Sequence, residues 1–510
     1  MIALIIHGHF YQPPRENPWT GLIDKQPGAE PYHDWNERIH AECYRPNAFV
    51  HTKSLDDGRE LIINNYANIN FDVGPTLLSW LESYHADTYS RILQADRESA
   101  GKRNGHGNAI AQAYGHAILP LCNERDRLTQ VLWGLADFRF RLGRDPESMW
   151  LPETACDEET LDLLIEQGLR YVILAPTQAE RFRTTNGDWH SVSDGSIVTS
   201  IAYRYSHRRQ PDRSLAVFFY DGALAQAIAF DKALSSSQLL VSRFKQAAGR
   251  GPMVSVATDG ETYGHHFKFG DLALAHMLEV EAKNQGLWVT NYGDFLDQYP
   301  PEFEVEIKKG PDGEGTSWSC AHGVGRWRRD CGCHTGGEPD WNQRWRGPLR
   351  EALDFLREHS ARQFEDVGGE LLVDPWGARN AYIELILDRG RSGAEFLARV
   401  AKQPLSLQDQ TRALAFLELQ KNALLMYTSC GWFFSELSGI ETVQIMKYAA
   451  RVIELTNELG LPSPRTRFLE MLAEARSNIP ELGNGADIYV RFAETLVLTS
   501  QLAAIEPAMS

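Results

Sequence analysis

A series of short apolar runs, several ending in clusters of reactive side chains, constrains this chain more than any other feature. Ile2-Ala3-Leu4-Ile5-Ile6 is apolar throughout, as a strand buried on both faces of a parallel sheet must be. Residues 171–175, 215–220 and 253–258 read the same way, while 69–73, 148–151 and 287–290 are shorter or interrupted by polar residues. Amphipathic helices fall between them. Asp157 stands where a helix N-cap is needed, with Leu161, Leu164 and Ile165 on one face and Gly168 as the stop. Alternation of strands and helices implies parallel pairing, hence a barrel or a doubly wound sheet.

From about residue 340 the pattern turns helical, and Ser438-Gly439-Ile440-Glu441 reads as a capping box opening a helix that closes at Gly460. The expected organisation is a catalytic α/β domain over 1–306, a connection over 307–345 and a helical domain over 346–510, whose last residues, 506–510, should fray. The connection is polar and Gly-rich, yet carries Trp318, Trp327, Trp341 and Trp345.

The 51 Lys and Arg against 68 Asp and Glu give a net charge of −17. Such a field repels phosphate backbones and anionic membrane surfaces, so neither nucleic acid nor membrane is expected as a partner. Seven cysteines spread over 510 residues do not form a disulfide framework. The apolar run after Met1 is also too short for a signal peptide. A cytoplasmic address is expected.

Parallel α/β folds place reactive groups at the C-terminal ends of their strands. The first run ends in His7-Gly8-His9-Phe10-Tyr11-Gln12-Pro13, where His7 and His9 share one face of an extended segment and could bind sugar hydroxyls or a metal. Another ends in Trp150-Leu151-Pro152-Glu153, a third in Thr258-Asp259-Gly260-Glu261-Thr262-Tyr263-Gly264-His265. Carboxylates at separate strand ends suit cleavage of a glycosidic bond, one attacking the anomeric carbon or activating water and the other protonating the leaving oxygen.

These segments, with Tyr114-Gly115-His116-Ala117-Ile118-Leu119-Pro120-Leu121, resemble in order the first four motifs of glycoside hydrolase family 57. His322 to Asp330, with Trp327, is the best candidate for the fifth. The resemblance implies an incomplete (β/α)7 barrel followed by a mostly helical C-terminal domain, a retaining mechanism, and an α-glucan or maltooligosaccharide substrate. It implies no metal in catalysis and no cofactor. By this resemblance Glu153 is the nucleophile and Asp259 the general acid/base. His7, His9 and His116 hold the sugar, with Trp150 and Tyr263 as walls.

Glu261 rivals Asp259 as the acid, since both point the same way if the segment stays extended. His265, Trp327 and Trp432 complete the expected substrate-binding set. Hydrolysis, 4-α-glucan transfer and branching stay open. Rival readings are a metal-dependent deacetylase or mannosidase-like enzyme using His7, His9 and an Asp as ligands, and a glucan-binding protein without turnover. Cys320, Cys331, Cys333 and His334 could form a thiolate-rich metal site. Cys331-Gly332-Cys333 is C-x-C, however, where structural zinc favours C-x2-C, so ordinary loop thiols are expected there.

Overall fold

The computed structural model describes residues 1–53, 58–249, 251–388 and 390–496; the tail over 506–510 lies outside them. The chain forms two compact units, each discontinuous in sequence. The first comprises Met1–Gln12, Lys25–Tyr114 and Asp137–Ser319; the second comprises Pro13–Asp24, Gly115–Ala136 and the chain from Cys320 onward. This division cuts across the contiguous segments 1–306, 307–345 and 346–510.

Seven parallel strands build the first unit. They are β1 (Ile2–Phe10), β2 (Asn70–Val73), β3 (Ala111–Gln112), β4 (Met149–Trp150), β5 (Tyr171–Leu174), β6 (Ser214–Phe219) and β7 (Met253–Asp259). β1 is central, pairing with β7 from Ala3↔Met253 to His9↔Asp259 and with β2 from His7↔Asn70 to Phe10↔Val73. The circuit continues through Phe71↔Ala109, Ala111↔Met149, Ser148↔Tyr171 and Tyr171↔Ala216. Between β6 and β7 no ladder forms among the described residues; a single backbone bond, Asp221 N–H to the Ser255 carbonyl at 2.8 Å, spans the gap. This is an incomplete (β/α)7 barrel.

The apolar runs predict six of these strands. The run at 287–290 instead forms Leu287–Val289, which pairs with the first residues of β1 below β2. The seventh barrel strand is β3, two residues long, which offers no apolar run to read. The helix Glu158–Glu166 starts as expected, with Asp157 Oδ1 accepting from the Thr160 N–H at 2.8 Å, and Gly168 takes the left-handed φ of +80° just beyond it. β5 and β6 extend into a sheet with Ala202–Ser206, Phe303–Ile307, Ala179–Thr184 and His190–Ser191. Its outer strands are laced by Arg181–Glu306 and Arg183–Glu304 ion pairs, each 2.7 Å, a polar surface that hid them from a search for apolar runs.

The second unit is mostly helical, its longest helices being Arg346–Gln363, Leu407–Leu425 and Ile440–Glu458. Ser406 caps the second through the Asp409 N–H. The capping box expected at Ser438 does not form. Gly439 is the N-cap, without a side-chain bond, and the Ser438 N–H is taken by Glu436. Phe364, Phe396, Phe416 and Leu417 form a buried cluster. The two sequence insertions join this unit by specific bonds: Gln444 donates to the Glu16 carbonyl at 2.8 Å, and Trp133 Nε1 to that of Asn380 at 3.0 Å. Among the described residues no helix is long and apolar enough to cross a membrane.

Candidate active site

The site is built on the C-terminal ends of β1, β2, β4 and β7. Parallel register sets Asp72 on β2 and Asp259 on β7 on either side of His9. Asp72 is fully buried and accepts from both histidines of β1, His7 Nε2 at 3.0 Å and His9 Nδ1 at 2.9 Å. Trp150 lies against both imidazoles, with ring centroids 4.6 Å from His7 and 5.0 Å from His9, nearly parallel. One carboxylate and one indole thus fix two rings.

The charges on these rings differ. Burial lowers His7 against the pull of Asp72, and the neighbouring His9 charge lowers it further. Burial works on His9 too, but Asp72, Asp259 and Glu261 together outweigh it and raise His9 to about 9. At neutral pH His9 is therefore an imidazolium paired with the Asp72 carboxylate.

Glu153 follows β4 on a tight turn. Pro152 opens it, and Glu153 (φ 59°, ψ 22°) and Thr154 (φ 49°) both lie in the left-handed region. That conformation is costly for non-glycine residues and is concentrated at functional sites. The segment before Ser319 runs antiparallel beside it. Cys156 and Thr316 exchange backbone bonds at 2.9 and 3.0 Å, and the Trp318 N–H reaches the Glu153 carbonyl at 3.0 Å. This zipper delivers Trp318 Nε1 (2.9 Å) and Ser319 Oγ (2.6 Å) to the same carboxylate oxygen, Glu153 Oε2. Oε1 has no partner among the described residues.

Asp259 ends β7 with its side chain exposed. Water reaches it, but the surrounding protein is dense enough that its hydration is incomplete. Burial raises it first; the Glu153 and Asp72 charges add to this, His9 opposes, and the carboxyl reaches about 6. Glu261 does not share its direction by strand alternation, because Gly260–Tyr263 is a 3-10 turn rather than extended chain. Glu261 is buried, and its Oε1 accepts from Tyr44 Oη at 2.5 Å and from the Tyr11 N–H at 3.1 Å. Burial and Asp259 raise it to about 7. The charges that raise Asp259 are those of Glu153 and Asp72.

Other expected residues lie elsewhere. Tyr263 is fully buried with its hydroxyl 3.1 Å from Thr258 Oγ1, so it packs under the turn and offers no wall to a sugar. His265 pairs with Glu42 and lines an open groove of about 880 Å³ with Tyr32, Arg38 and Phe269, a lining that includes neither Glu153 nor Asp259. His116 belongs to the second unit, where its Nδ1 is 2.6 Å from Ser429 Oγ. Trp327 and Trp432 are also there, both buried in packing, with their indole N–H groups on the carbonyls of Ser429 and Arg346. Neither offers a stacking face. Cys320, Cys331 and Cys333 gather with His322 rather than His334.

Sequence reasoning missed Asp72, Tyr44 and Ser319, and gave Trp318 no specific role. Asp72 left a trace, as one of two polar interruptions, with Asn70, of an otherwise apolar run. The others act across long sequence separations and left none.

Residues 3–308 match the sequence pattern of glycosyl hydrolase family 57. The chain belongs to that family. Residues 341–510 match a domain of unknown function, DUF3536. Among curated relatives, a 4-alpha-glucanotransferase of Thermococcus litoralis is 23% identical over 288 residues, 56% of this chain and 39% of the relative. An alpha-amylase of Pyrococcus abyssi is 21% identical over 268 residues, 51% and 37% of the two chains. The chain thus spans about two fifths of the length of these relatives. An exo-type maltose-forming amylase from Pyrococcus sp. ST04 superposes with a TM-score of 0.69 at 14% identity, covering 92% of this chain and 82% of that one. A family 57 branching enzyme from Pyrococcus horikoshii gives 0.54 at 15%, covering 98% and 96%. At such identities the likeness is one of fold.

Proposed function

We propose that this family 57 protein is a retaining glycoside hydrolase or transglycosylase acting on α-1,4-glucans through a covalent glycosyl–Glu153 intermediate. The observation that carries the reading is a pair of unlike carboxylates at two strand ends of one barrel. Asp259 is raised to about 6, and Glu153 is gripped through one oxygen by two donors. Carboxylates in contrasting environments suit the two roles such chemistry needs. The α-glucan substrate rests on the relatives named as a 4-alpha-glucanotransferase and an alpha-amylase.

In the first step Glu153 Oε1 attacks the anomeric carbon. The glycosidic C–O bond breaks toward its oxygen, which takes the Asp259 proton. Glu153 is then an uncharged ester, so one of the charges that raised Asp259 is gone and its affinity for a proton falls. Asp259 can now accept a proton from water or a sugar hydroxyl as that group displaces Glu153 and restores its carboxylate. His9, charged and braced by Asp72, stands between the strands that end in the acid and the buried aspartate, suited to hold a sugar hydroxyl. A cytoplasmic address belongs to the same proposal, in keeping with seven cysteines none of which is disulfide-bonded.

The test is incubation of the purified chain with a defined maltooligosaccharide, resolving products by length and counting reducing ends, with Glu153→Ala beside it. New chain lengths, absent from the variant, are expected. Rising reducing ends mean hydrolysis; constant ones mean transfer. Products of inverted anomeric configuration, or equal turnover by the variant, overturn the covalent mechanism.

A further inference from the structure

In the second unit three thiols and one imidazole converge. Cys320, His322, Cys331 and Cys333 each offer one ligand atom, and these atoms lie within 4.8 Å of one another. Cys320 Sγ is 3.8 Å from Cys331 Sγ, and Cys333 Sγ is 3.5 Å from His322 Nδ1. A tetrahedral zinc ion with bonds of about 2.3 Å to sulfur and about 2.0–2.1 Å to nitrogen sets sulfur–sulfur edges of about 3.8 Å and sulfur–nitrogen edges of about 3.6 Å. Both measured spacings are edges of such a tetrahedron. A disulfide, by contrast, needs its sulfurs at about 2.05 Å.

The backbone is shaped for the cluster. Gly332, between the two C-terminal thiols, has a φ of +79°, a left-handed turn that the C-x-C spacing needs to swing both sulfurs toward one centre.

The charge around the cluster points the same way. Arg346 is fully buried and donates to the carbonyls of Cys333 (2.7 Å), Phe433 and Phe434 (both 3.3 Å). Buried Arg326 donates to Thr335 Oγ1 and the Phe433 carbonyl. Neither guanidinium has a carboxylate partner among the described residues. A buried cation without an anion is strongly disfavoured. Three thiolates around a divalent ion carry one net negative charge and would supply that anion.

We infer that Cys320, His322, Cys331 and Cys333 form a structural zinc site. Four protein ligands close the shell, leaving no position for substrate. The thiols enter as thiolates and release their protons to water as the metal binds. The loop so clamped carries Trp327, whose indole N–H bonds to the Ser429 carbonyl at 3.2 Å; Ser429 in turn holds His116 through its hydroxyl. Zinc thus fixes a chain of contacts ending at one of the family's motif histidines.

The test uses the full chain, expressed with zinc and purified without a metal-affinity step. Elemental analysis should find about one zinc per chain, and cobalt exchanged into the site should give the absorption of a tetrahedral thiolate complex. A Cys331→Ser, Cys333→Ser double variant should hold roughly a tenth of that zinc or less. Should that variant fail to fold, mercurial titration of the thiols in the unaltered chain should release the same single zinc. Three results overturn the assignment: a zinc-free chain with all its thiols titratable, a Cys320–Cys331 disulfide in freshly purified protein, or full zinc retention by a folded double variant. The last would move the metal elsewhere, Glu37, His40 and His85 in the first unit being the other cluster within reach of one ion among the described residues.

Discussion

His9 Nδ1 lies 2.9 Å from Asp72 Oδ2, and that buried pair, together with the Asp259 and Glu261 charges, holds the histidine as a cation at neutral pH. Its value of about 9 stands above the ordinary 6.5. The stability it contributes is therefore present in full below pH 6.5 and lost as pH rises through about 9. Each pH unit between those values is worth about 1.4 kcal/mol, so about 3 kcal/mol of folding stability should vanish across the window. Urea denaturation of the wild type at about pH 6 and about pH 10 should show this loss, and His9→Asn should lack most of it. An equal slope in both proteins would place the titration elsewhere.

A second pH effect concerns catalysis. If Asp259 donates the proton, kcat/KM should fall as pH rises through about 6. The Glu153 charge is one of the causes holding Asp259 up, so Glu153→Gln at residual activity should move that limb to lower pH. The shift should be partial, because burial, the larger cause, stays. A limb that does not move means the two carboxylates are not electrostatically linked.

Much of this arrangement is legible in the chain because strand ends concentrate chemistry. The parallel runs give β1 and β7 directly, and with them His7, His9 and Asp259; Pro152-Glu153 stands out after β4. Two kinds of feature are not legible. Two-residue β3 needs no apolar run, since its neighbours supply the ladder. Trp318 and Ser319 reach Glu153 only through the zipper of Cys156 with Thr316, a pairing across 160 residues that no local pattern encodes. The surface-laced sheet was hidden for a related reason: its arginine–glutamate pairs read as solvated chain. Trp327 and Trp432 show the converse error, since a cluster of aromatics looks the same in sequence whether the rings face a sugar or a core.

The donors on Glu153 make a separable prediction. Ser319→Ala and Trp318→Phe each remove one charge-assisted bond from Oε2, worth about 1.5–3 kcal/mol. Either should lower kcat about 10- to 100-fold with KM little changed, since the bond positions the attacking group more than it binds sugar. A rise in KM at constant kcat would instead mean that the Trp318 indole serves as a sugar platform.

Glu261 and Asp259 offer the sharpest contrast. Both are raised, to about 7 and about 6, so protonation alone does not say which is the acid. Access does. Glu261 Oε1 is occupied by Tyr44 and by the Tyr11 N–H, whereas Asp259 is exposed at the end of β7. Glu261→Gln keeps an oxygen for both donors and should retain activity within about tenfold, at a stability cost of about 1 kcal/mol. Asp259→Asn should lose about 10²- to 10⁴-fold on a maltooligosaccharide, the range of a general acid/base. The decisive measurement is leaving-group dependence. A glycoside with a nitrophenol leaving group needs no proton to depart, so its first step should survive in Asp259→Asn while deglycosylation stalls, giving a burst of nitrophenol. Glu261→Gln should show no such burst. The reverse pattern would make the buried carboxyl the acid and require the Tyr44 bond to open before each turnover.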